Sequence, residues 1–270
     1  MMLKILLGIA ILYALLCAFA FLFGRRLAFP APKASYNASA PAKIKFIELP
    51  CGGKIACAHL KNPGAKYTIF YSHGNGEDIG DIMPILINFF NAGYSVFAYD
   101  YFGYGLSSGK SDFSNLYECA DAAWNYLRKE EGIEESDIAI FGYSMGSAPS
   151  TFLAAKHKPR ALILLGGFAS AFEAVLPVNI LPWAPLNNAK FIARAECPIL
   201  IAHGSRDCIV PFRNGAKLFK SASSEKYFIK LDGAGHFDAY EKYPEILPRA
   251  FFEFIDNLKI ENATLKENIK

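Results

Sequence analysis

The chain has 270 residues, of which 53% are hydrophobic and 20% charged, and its formal net charge is +3. Six basic residues precede the first acidic residue, Glu48, and removing their charges leaves a net charge of −3 for everything else. This mildly acidic remainder excludes a nucleic-acid-binding protein, which would carry a basic surface.

The amino terminus begins with a long apolar segment. Residues 5–24 contain no charged side chain, and in a helix they would cover about 30 Å, the thickness of a bilayer's hydrocarbon core. A cleaved signal peptide is the alternative, because Ala18-Phe19-Ala20 has the form of a cleavage site. However, the apolar run continues beyond it and ends at Arg25-Arg26, as a stop-transfer anchor does. We therefore predict a single-pass membrane anchor at residues 1–26.

The region after the anchor divides into three parts. Residues 27–42 are rich in Ala, Pro and Ser and are predicted to be a linker. Residues 43–259 suffice for one well-buried domain, and residues 260–270 form a polar tail that we expect to fray. The basic residues just beyond the anchor favour a cytoplasmic position for the domain.

Apolar runs alternate with helical patterns throughout the domain. Strands are predicted at 44–49, 54–60, 67–72, 94–99, 138–141, 161–165, 199–202 and 226–231, and helices at 79–91, 115–131, 145–157, 212–220 and 239–258. The first two strands, joined through Gly52-Gly53, predict an antiparallel hairpin at one edge, and the other strands should be parallel. The fold class is therefore α/β, with a mostly parallel eight-stranded sheet and helices on both faces.

The sequence Gly142-Tyr143-Ser144-Met145-Gly146 stands between a predicted strand and a predicted helix. The pattern G-x-S-x-G in this setting is typical of a nucleophile elbow, in which the serine occupies a strained turn and exposes its hydroxyl. Ser144 is therefore the candidate nucleophile. The pattern alone is common, so the hypothesis depends on catalytic partners elsewhere in the chain.

Two loops supply these partners in the order that the architecture requires. Asp207 follows the apolar run 198–202, and His236 lies in the glycine-rich loop after the strand at 226–231. Loops at the carboxyl ends of parallel strands converge on one edge of the sheet, so the three side chains can form a triad. Asp232 and Asp238 flank the histidine, but the loop at Asp207 is expected to face it.

An oxyanion hole is also expected. The strand at 67–72 runs into His73-Gly74-Asn75-Gly76, whose backbone N–H groups can face a developing oxyanion. The N–H of Met145 is the first expected donor, and that of Asn75 the second, with Gly76 as the competing choice. Because these donors are main-chain groups, we expect the side chains at both positions to matter little.

Five motifs together resemble those of the α/β-hydrolase superfamily. They are His73-Gly74-Asn75-Gly76, Tyr99-Asp100-Tyr101-Phe102-Gly103-Tyr104-Gly105-Leu106-Ser107, Gly142-Tyr143-Ser144-Met145-Gly146, His203-Gly204-Ser205-Arg206-Asp207 and Gly233-Ala234-Gly235-His236. The resemblance covers residues 44–258 and is strongest to the compact membrane-associated branch that includes eukaryotic protein depalmitoylases. It implies the α/β-hydrolase fold and a serine hydrolase. Those depalmitoylases attach through a cysteine-rich acylated amino terminus, whereas this apolar segment contains the single Cys17.

We therefore predict a membrane-anchored serine hydrolase that cleaves an ester or thioester through an acyl-enzyme on Ser144. Its substrate would be a small-molecule or lipid acyl compound or an acylated protein, and neither a cofactor nor a metal is expected. The alternatives are an aminopeptidase or amidase of the same fold, and a non-catalytic membrane-tethered binding module.

Two further features concern the surroundings of the site. The cysteines beyond the membrane have no C-x-x-C pairing, which favours a reducing compartment, and Cys208 is expected to be buried. Residues 166–197 leave room for a minimal lid of one or two short helices. About half of the apolar side chains of this insertion are expected to pack on the core, and the others are predicted to line an open acyl groove beside Ser144; the set is Phe168, Phe172, Val175, Leu176, Val178, Ile180, Leu181 and Trp183.

Overall fold

The first element of the fold is a single long helix. The computed structural model describes residues 1–37, 43–174 and 182–259, with the backbone alone at residues 25–27. Helix α1 spans Met2–Ala28, and its segment Met2–Gly24 is long and apolar enough to cross a membrane. Most of its large apolar side chains are exposed rather than packed on the domain, which is unlike a core helix of a soluble protein.

The domain is organised around one sheet of eight strands in the described residues. The strands are β1 (Ile44–Glu48), β2 (Lys54–Leu60), β3 (Thr68–Ser72), β4 (Ser95–Tyr99), β5 (Ile138–Tyr143), β6 (Ala161–Leu165), β7 (Ile199–Gly204) and β8 (Lys226–Leu231). Their order in the sheet is β1-β2-β4-β3-β5-β6-β7-β8. β1 and β2 pair antiparallel, β2 is antiparallel to β4, and all other pairings are parallel. The predicted edge hairpin and parallel sheet are confirmed.

Helices cover both faces of the sheet, as predicted. They are α2 (Ile79–Asn91), α3 (Asn115–Lys129), α4 (Ser147–Lys156), α5 (Asn188–Ile192), α6 (Arg213–Ser221), α7 (Ala239–Lys242) and α8 (Ile246–Asn257). Helices α3 to α6 pack on one face, where Trp124 and Leu153 join the core, and α2 and α8 pack on the other through side chains such as Leu86 and Phe251. Burial of these apolar faces is the main stabilising contribution to the fold.

Two helix predictions were wrong in detail. The helix expected at 239–258 is two helices, α7 and α8, separated at residues 243–245. Pro244 lies in this break, because proline has no N–H for a helical hydrogen bond and keeps the residue before it out of helical geometry. The helix expected at 145–157 begins at Ser147 and follows a short 3₁₀ turn at Ser144–Gly146.

The described part of the predicted linker packs on the domain. Phe29 is buried and meets Phe113 edge-on, with 5.3 Å between the ring centroids. Ser35 donates to both carboxylate oxygens of Asp78, the residue that caps α2, through its N–H (2.7 Å to Oδ2) and its hydroxyl. The hydroxyl of Tyr36 donates to Asp100 Oδ2 just beyond β4. We call residues 29–37 the strap.

Candidate active site

Three loops at the carboxyl ends of β5, β7 and β8 bring Ser144, Asp207 and His236 together. Oγ of Ser144 lies 2.8 Å from Nε2 of His236, and Nδ1 of His236 lies 2.7 Å from Oδ2 of Asp207. All three residues are buried. Because a carboxylate only accepts hydrogen bonds, Nδ1 carries the ring proton and Nε2 is left to accept from the serine hydroxyl. The arrangement can therefore remove a proton from Ser144.

The backbone at Ser144 has the strain that the elbow motif predicts. Its φ angle is +50°, in the left-handed region that costs a side-chain-bearing residue free energy. Gly146 lies so close to β3 that a Cβ atom there would overlap the carbonyl oxygen of Ser72 and come within 2.8 Å of that of His73. The glycine thus lets the elbow sit directly beside the loop that follows β3, where the second oxyanion donor is expected.

Asp207 is held in place by its own loop. Its Oδ1 accepts hydrogen bonds from the N–H groups of Ile209 (3.0 Å) and Val210 (2.7 Å), which leaves Oδ2 directed at His236. The neighbouring carboxylates are engaged elsewhere: Asp238 accepts from the N–H of Gly235, and Asp232 pairs with Lys230. The structure therefore places Asp207, and neither flanking aspartate, against the histidine.

A second buried histidine supports this loop. Nε2 of His203 donates to the carbonyl oxygen of Val210 at 2.7 Å and lies 3.5 Å from Oδ2 of Asp207. Burial lowers the pKa of His203, although the bond to Val210 and the charge of Asp207 oppose the shift. His203 is therefore a neutral structural group behind the aspartate, consistent with its sequence position at the end of β7.

The loop after β3 is fixed through the side chain of Asn75, contrary to the expectation that this side chain matters little. Its Oδ1 accepts from the hydroxyl of Tyr104 at 2.6 Å, and its Nδ2 donates to the carbonyl oxygen of Ala28 at 2.9 Å. The hydroxyl of Tyr101 donates to the carbonyl oxygen of His73 at 2.8 Å. Tyr101 and Tyr104 both follow β4, so two loops and the end of α1 jointly set the position of this segment.

Glu77 is a site residue that the sequence did not reveal. Its Oε2 accepts from the N–H of Gly74 at 2.8 Å and so orients the same loop. Burial raises the pKa of Glu77, while the bond from Gly74 and the nearby His236 act in the opposite direction. Tyr143 lies next to it, stacks on the His236 ring at 5.4 Å and donates its hydroxyl to the His236 carbonyl oxygen. A lone glutamate before a capping aspartate carries no sequence signal for this role.

The structure also bears on the predictions for Cys208 and for the insertion at residues 166–197. Cys208 is exposed, so its expected burial was wrong: the residue lies in the short loop between Asp207 and Ile209, which turns its side chain away from the core. Of the insertion, Phe168 is buried and Phe172 contacts Trp183, with 6.3 Å between ring centroids. Residues 175–181, including Leu181, lie outside the described part of the chain. Within the described residues no cluster of three or more metal-binding side chains is present.

The fold and the strained serine turn are those of the α/β-hydrolases, and comparison with known proteins supports this assignment. A family model described as serine aminopeptidase, S33, matches residues 63–192. Alpha/beta hydrolase domain-containing protein 17B of Homo sapiens is 35% identical over 213 residues, which cover 77% of this chain and 74% of that protein. The Caenorhabditis elegans protein aho-3, also named as an alpha/beta hydrolase domain-containing protein, is 31% identical over 68% of this chain and 57% of its own length.

Solved structures share the fold at lower identity. The Pyrococcus furiosus esterase Pf2001 superimposes with a TM-score of 0.70 at 17% identity, over 84% of this chain and 98% of the esterase. Est1E from Butyrivibrio proteoclasticus, solved with ferulic acid, gives 0.65 at 20% identity over 78% and 97%. The chain belongs to the α/β-hydrolase superfamily and, within it, to the family of the alpha/beta hydrolase domain-containing proteins 17.

Proposed function

We propose that this α/β-hydrolase is a serine hydrolase that transfers an acyl group to water through Ser144. The observation that carries the proposal is the continuous hydrogen-bonded chain from Ser144 Oγ through the imidazole of His236 to Asp207, with steps of 2.8 and 2.7 Å. This is the geometry in which a serine hydroxyl, weak as a nucleophile by itself, is activated by an oriented base.

The proposed reaction has two halves. Nε2 of His236 takes the hydroxyl proton as Ser144 attacks the carbonyl carbon, and the N–H groups of Met145 and Asn75 stabilise the oxyanion. The imidazolium then protonates the leaving group, and an acyl-enzyme remains on Ser144. Water, deprotonated by the same imidazole, releases the acid and restores the serine. Asp207 holds the ring in the required tautomer throughout.

We infer that the substrate is an ester or thioester with an acyl chain. Two features support this: the described part of the insertion is rich in apolar side chains, and the motifs resemble those of membrane-associated protein depalmitoylases. The second candidate is cleavage of an amide or peptide, which the description of the matching family model as a serine aminopeptidase favours. The candidate anchor α1 would hold the enzyme at a membrane, and the basic residues beyond it support a cytoplasmic domain.

A serine-directed fluorophosphonate tests the catalytic proposal. Full-length protein should be labelled covalently, and Ser144→Ala should abolish the label and lower turnover at least about a thousandfold. Ser147→Ala is the matched control, because Ser147 lies in the same elbow but its hydroxyl accepts from Asn188 at 3.1 Å. An unlabelled wild-type protein, or a Ser144→Ala variant with wild-type turnover, would refute the proposal.

A paired substrate series tests the bond and the acyl group. For soluble p-nitrophenyl esters, kcat/KM should rise from acetate towards octanoate, because each buried methylene contributes up to about 0.8 kcal/mol. Trp183→Asp should flatten this rise if the insertion receives the chain. Faster cleavage of matched p-nitroanilides would favour the amidase instead.

A further inference from the structure

Two apolar side chains are exposed at the edge of the sheet where the loops after β5, β7 and β8 carry Ser144, Asp207 and His236. We call this the catalytic edge. Phe237 is 79% exposed and directly follows His236, and Ile209 is 50% exposed and lies two residues after Asp207. Among the described residues beyond α1, these are the two most exposed large hydrophobic side chains. Single exposed apolar residues are common on protein surfaces. These two, however, lie in the loops that carry His236 and Asp207, so whatever contacts them would lie beside the candidate active site.

Helix α1 reaches the same edge. The Asn75 side chain, beside the site, is bonded to Ala28 at the end of the helix. The ring of Trp183 in the insertion meets that of Phe21 edge-on, with centroids 6.3 Å apart. Phe21 stands three residues before Gly24, the end of the apolar span, and is therefore about 4.5 Å inside that end at the helical rise. When α1 spans a membrane, Trp183 therefore lies at about the same depth as Phe21.

The position of Trp183 is the one that a bilayer favours. Tryptophan is enriched at the boundary between hydrocarbon and headgroups, where its ring is apolar and its N–H is polar. Arg206, exposed on the Asp207 loop, adds a positive charge that suits lipid phosphates. The end of α1, the insertion that carries Trp183 and the loops that carry Ile209 and Phe237 thus all lie at the carboxyl ends of the strands.

We propose that the catalytic edge docks on a phospholipid bilayer, with Trp183, Ile209 and Phe237 entering the interface, so that an acyl chain reaches Ser144 directly from the leaflet. This proposal rests on the membrane anchor of the proposed function. The bilayer, rather than a protein partner, is the occupant because α1 contacts the insertion through Phe21 and Trp183 and the exposed side chains lie at the same edge of the sheet as the end of α1.

Depth-dependent fluorescence quenching tests the docking. Full-length protein carrying Cys17→Ala and Cys51→Ser is labelled with a nitrobenzoxadiazole dye at the exposed native Cys208 and placed in phosphatidylcholine vesicles. A nitroxide on the upper part of the lipid acyl chain should quench this dye, and also a dye at Phe237→Cys in a Cys208→Ser background. A dye at Ile87→Cys, on the exposed surface of α2, should remain bright.

An activity ratio gives an independent readout. Ile209→Asp and Phe237→Asp should each lower kcat/KM for a long-chain ester embedded in the vesicles by about tenfold relative to a soluble acetate ester, since one large apolar side chain no longer leaves water. Ile87→Asp should leave the ratio at its wild-type value.

The outcomes separate the docking from the chemistry. Dyes at 208 and 237 that escape quenching, while fluorophosphonate still labels the protein, overturn the docking and leave the hydrolase proposal intact. A dye whose emission changes without dependence on the nitroxide lipid reports a covering protein copy and also overturns it. Quenching without fluorophosphonate labelling supports the docking and refutes the hydrolase.

Discussion

The side-chain amide of Asn75 donates a hydrogen bond to the carbonyl oxygen of Ala28, with 2.9 Å between nitrogen and oxygen. The bond joins the last residue of the amino-terminal helix to the loop that is proposed to stabilise the oxyanion. The position of that loop therefore depends on a contact from outside the sheet.

The first prediction concerns this contact. Asn75→Ala should lower kcat for a soluble ester about tenfold with little change in KM, because two hydrogen bonds that fix the loop are lost and each contributes about 1 kcal/mol. Tyr104→Phe, which removes one of the two, should have a smaller effect in the same direction. Steady-state kinetics with both variants measure this, and unchanged kcat in both would show that the loop needs no support.

The second prediction distinguishes Asp207 from Asp238, the aspartate two residues after the histidine. Asp207→Asn should lower kcat by between about a hundredfold and ten-thousandfold, because the amide favours the wrong imidazole tautomer while its oxygen can still accept from Ile209 and Val210. Asp238→Asn serves as the control, since that side chain bonds Gly235 and Lys242 instead. Equal losses in the two variants would contradict the role of Asp207.

The third prediction concerns the strap. A protein beginning at Ala28 keeps Phe29, Ser35 and Tyr36, whereas one beginning at residue 43 loses their buried ring and hydrogen bonds. The shorter protein should melt roughly 8 to 16 °C lower, because the buried phenylalanine and the bonds to carboxylates contribute about 2 kcal/mol each, and about 1 kcal/mol shifts the melting temperature of a domain of this size by about 2–4 °C. Scanning calorimetry of the two truncated proteins decides this. Equal melting temperatures would mean that the strap contacts add no stability.

The fourth prediction follows from Asp100. Burial raises the pKa of its carboxyl from 3.8 to about 7, although bonds from Tyr36 and from the N–H of Ile79 oppose the shift. The folded protein thus holds this proton more tightly than the unfolded chain does. Its contribution to stability is complete below about pH 4 and is lost as the pH rises to about 7.

Asp100→Asn, which cannot ionise, should remove this part of the pH dependence, so that its melting temperature falls less than that of the wild type between pH 4 and 7. Asp232→Asn at an exposed position should retain the wild-type slope. A wild-type slope in Asp100→Asn would show that the carboxyl does not titrate in this range.

The fifth prediction concerns the elbow. Gly146→Ala should prevent the turn from approaching β3, because its methyl group would overlap the backbone of Ser72. Overpacking against rigid backbone costs about 1–3 kcal/mol or more, and activity should fall with stability. Gly64→Ala is a suitable control, since its Cβ would meet only the Asn62 Oδ1 atom, at 3.8 Å. Chemical unfolding curves of both variants provide the comparison.

Much of the fold followed from the alternation of apolar runs with helical patterns. The strands at β2, β6 and β8 and the helix α2 have the bounds that the pattern predicts, because long apolar runs bounded by Gly, Pro or polar clusters leave little choice of register. The break at residues 243–245 was missed although Pro244 marks it. Apolar residues continue on both sides of the proline, and periodicity alone does not distinguish one helix from two.

The candidate triad could be predicted because the spacing of its residues relative to the strands is distinctive. The chain order of Ser144, Asp207 and His236 fixes which loops meet, and the structure brings all three within hydrogen-bonding distance. The contacts of Asn75 and Glu77 had no such signal. These contacts depend on how separate loops pack together in the folded protein, and the periodicity of the sequence does not predict that packing.

The strap also affects how far the enzyme can reach. In a hydrolase anchored through α1, the strap is bonded to Asp78 and Asp100 and therefore holds the domain close to the membrane. Such an enzyme would encounter its substrate by lateral diffusion within one leaflet, so its rate should follow the surface density of substrate rather than its bulk concentration. Acyl groups on an opposing vesicle would stay uncleaved, however many collisions the two surfaces make.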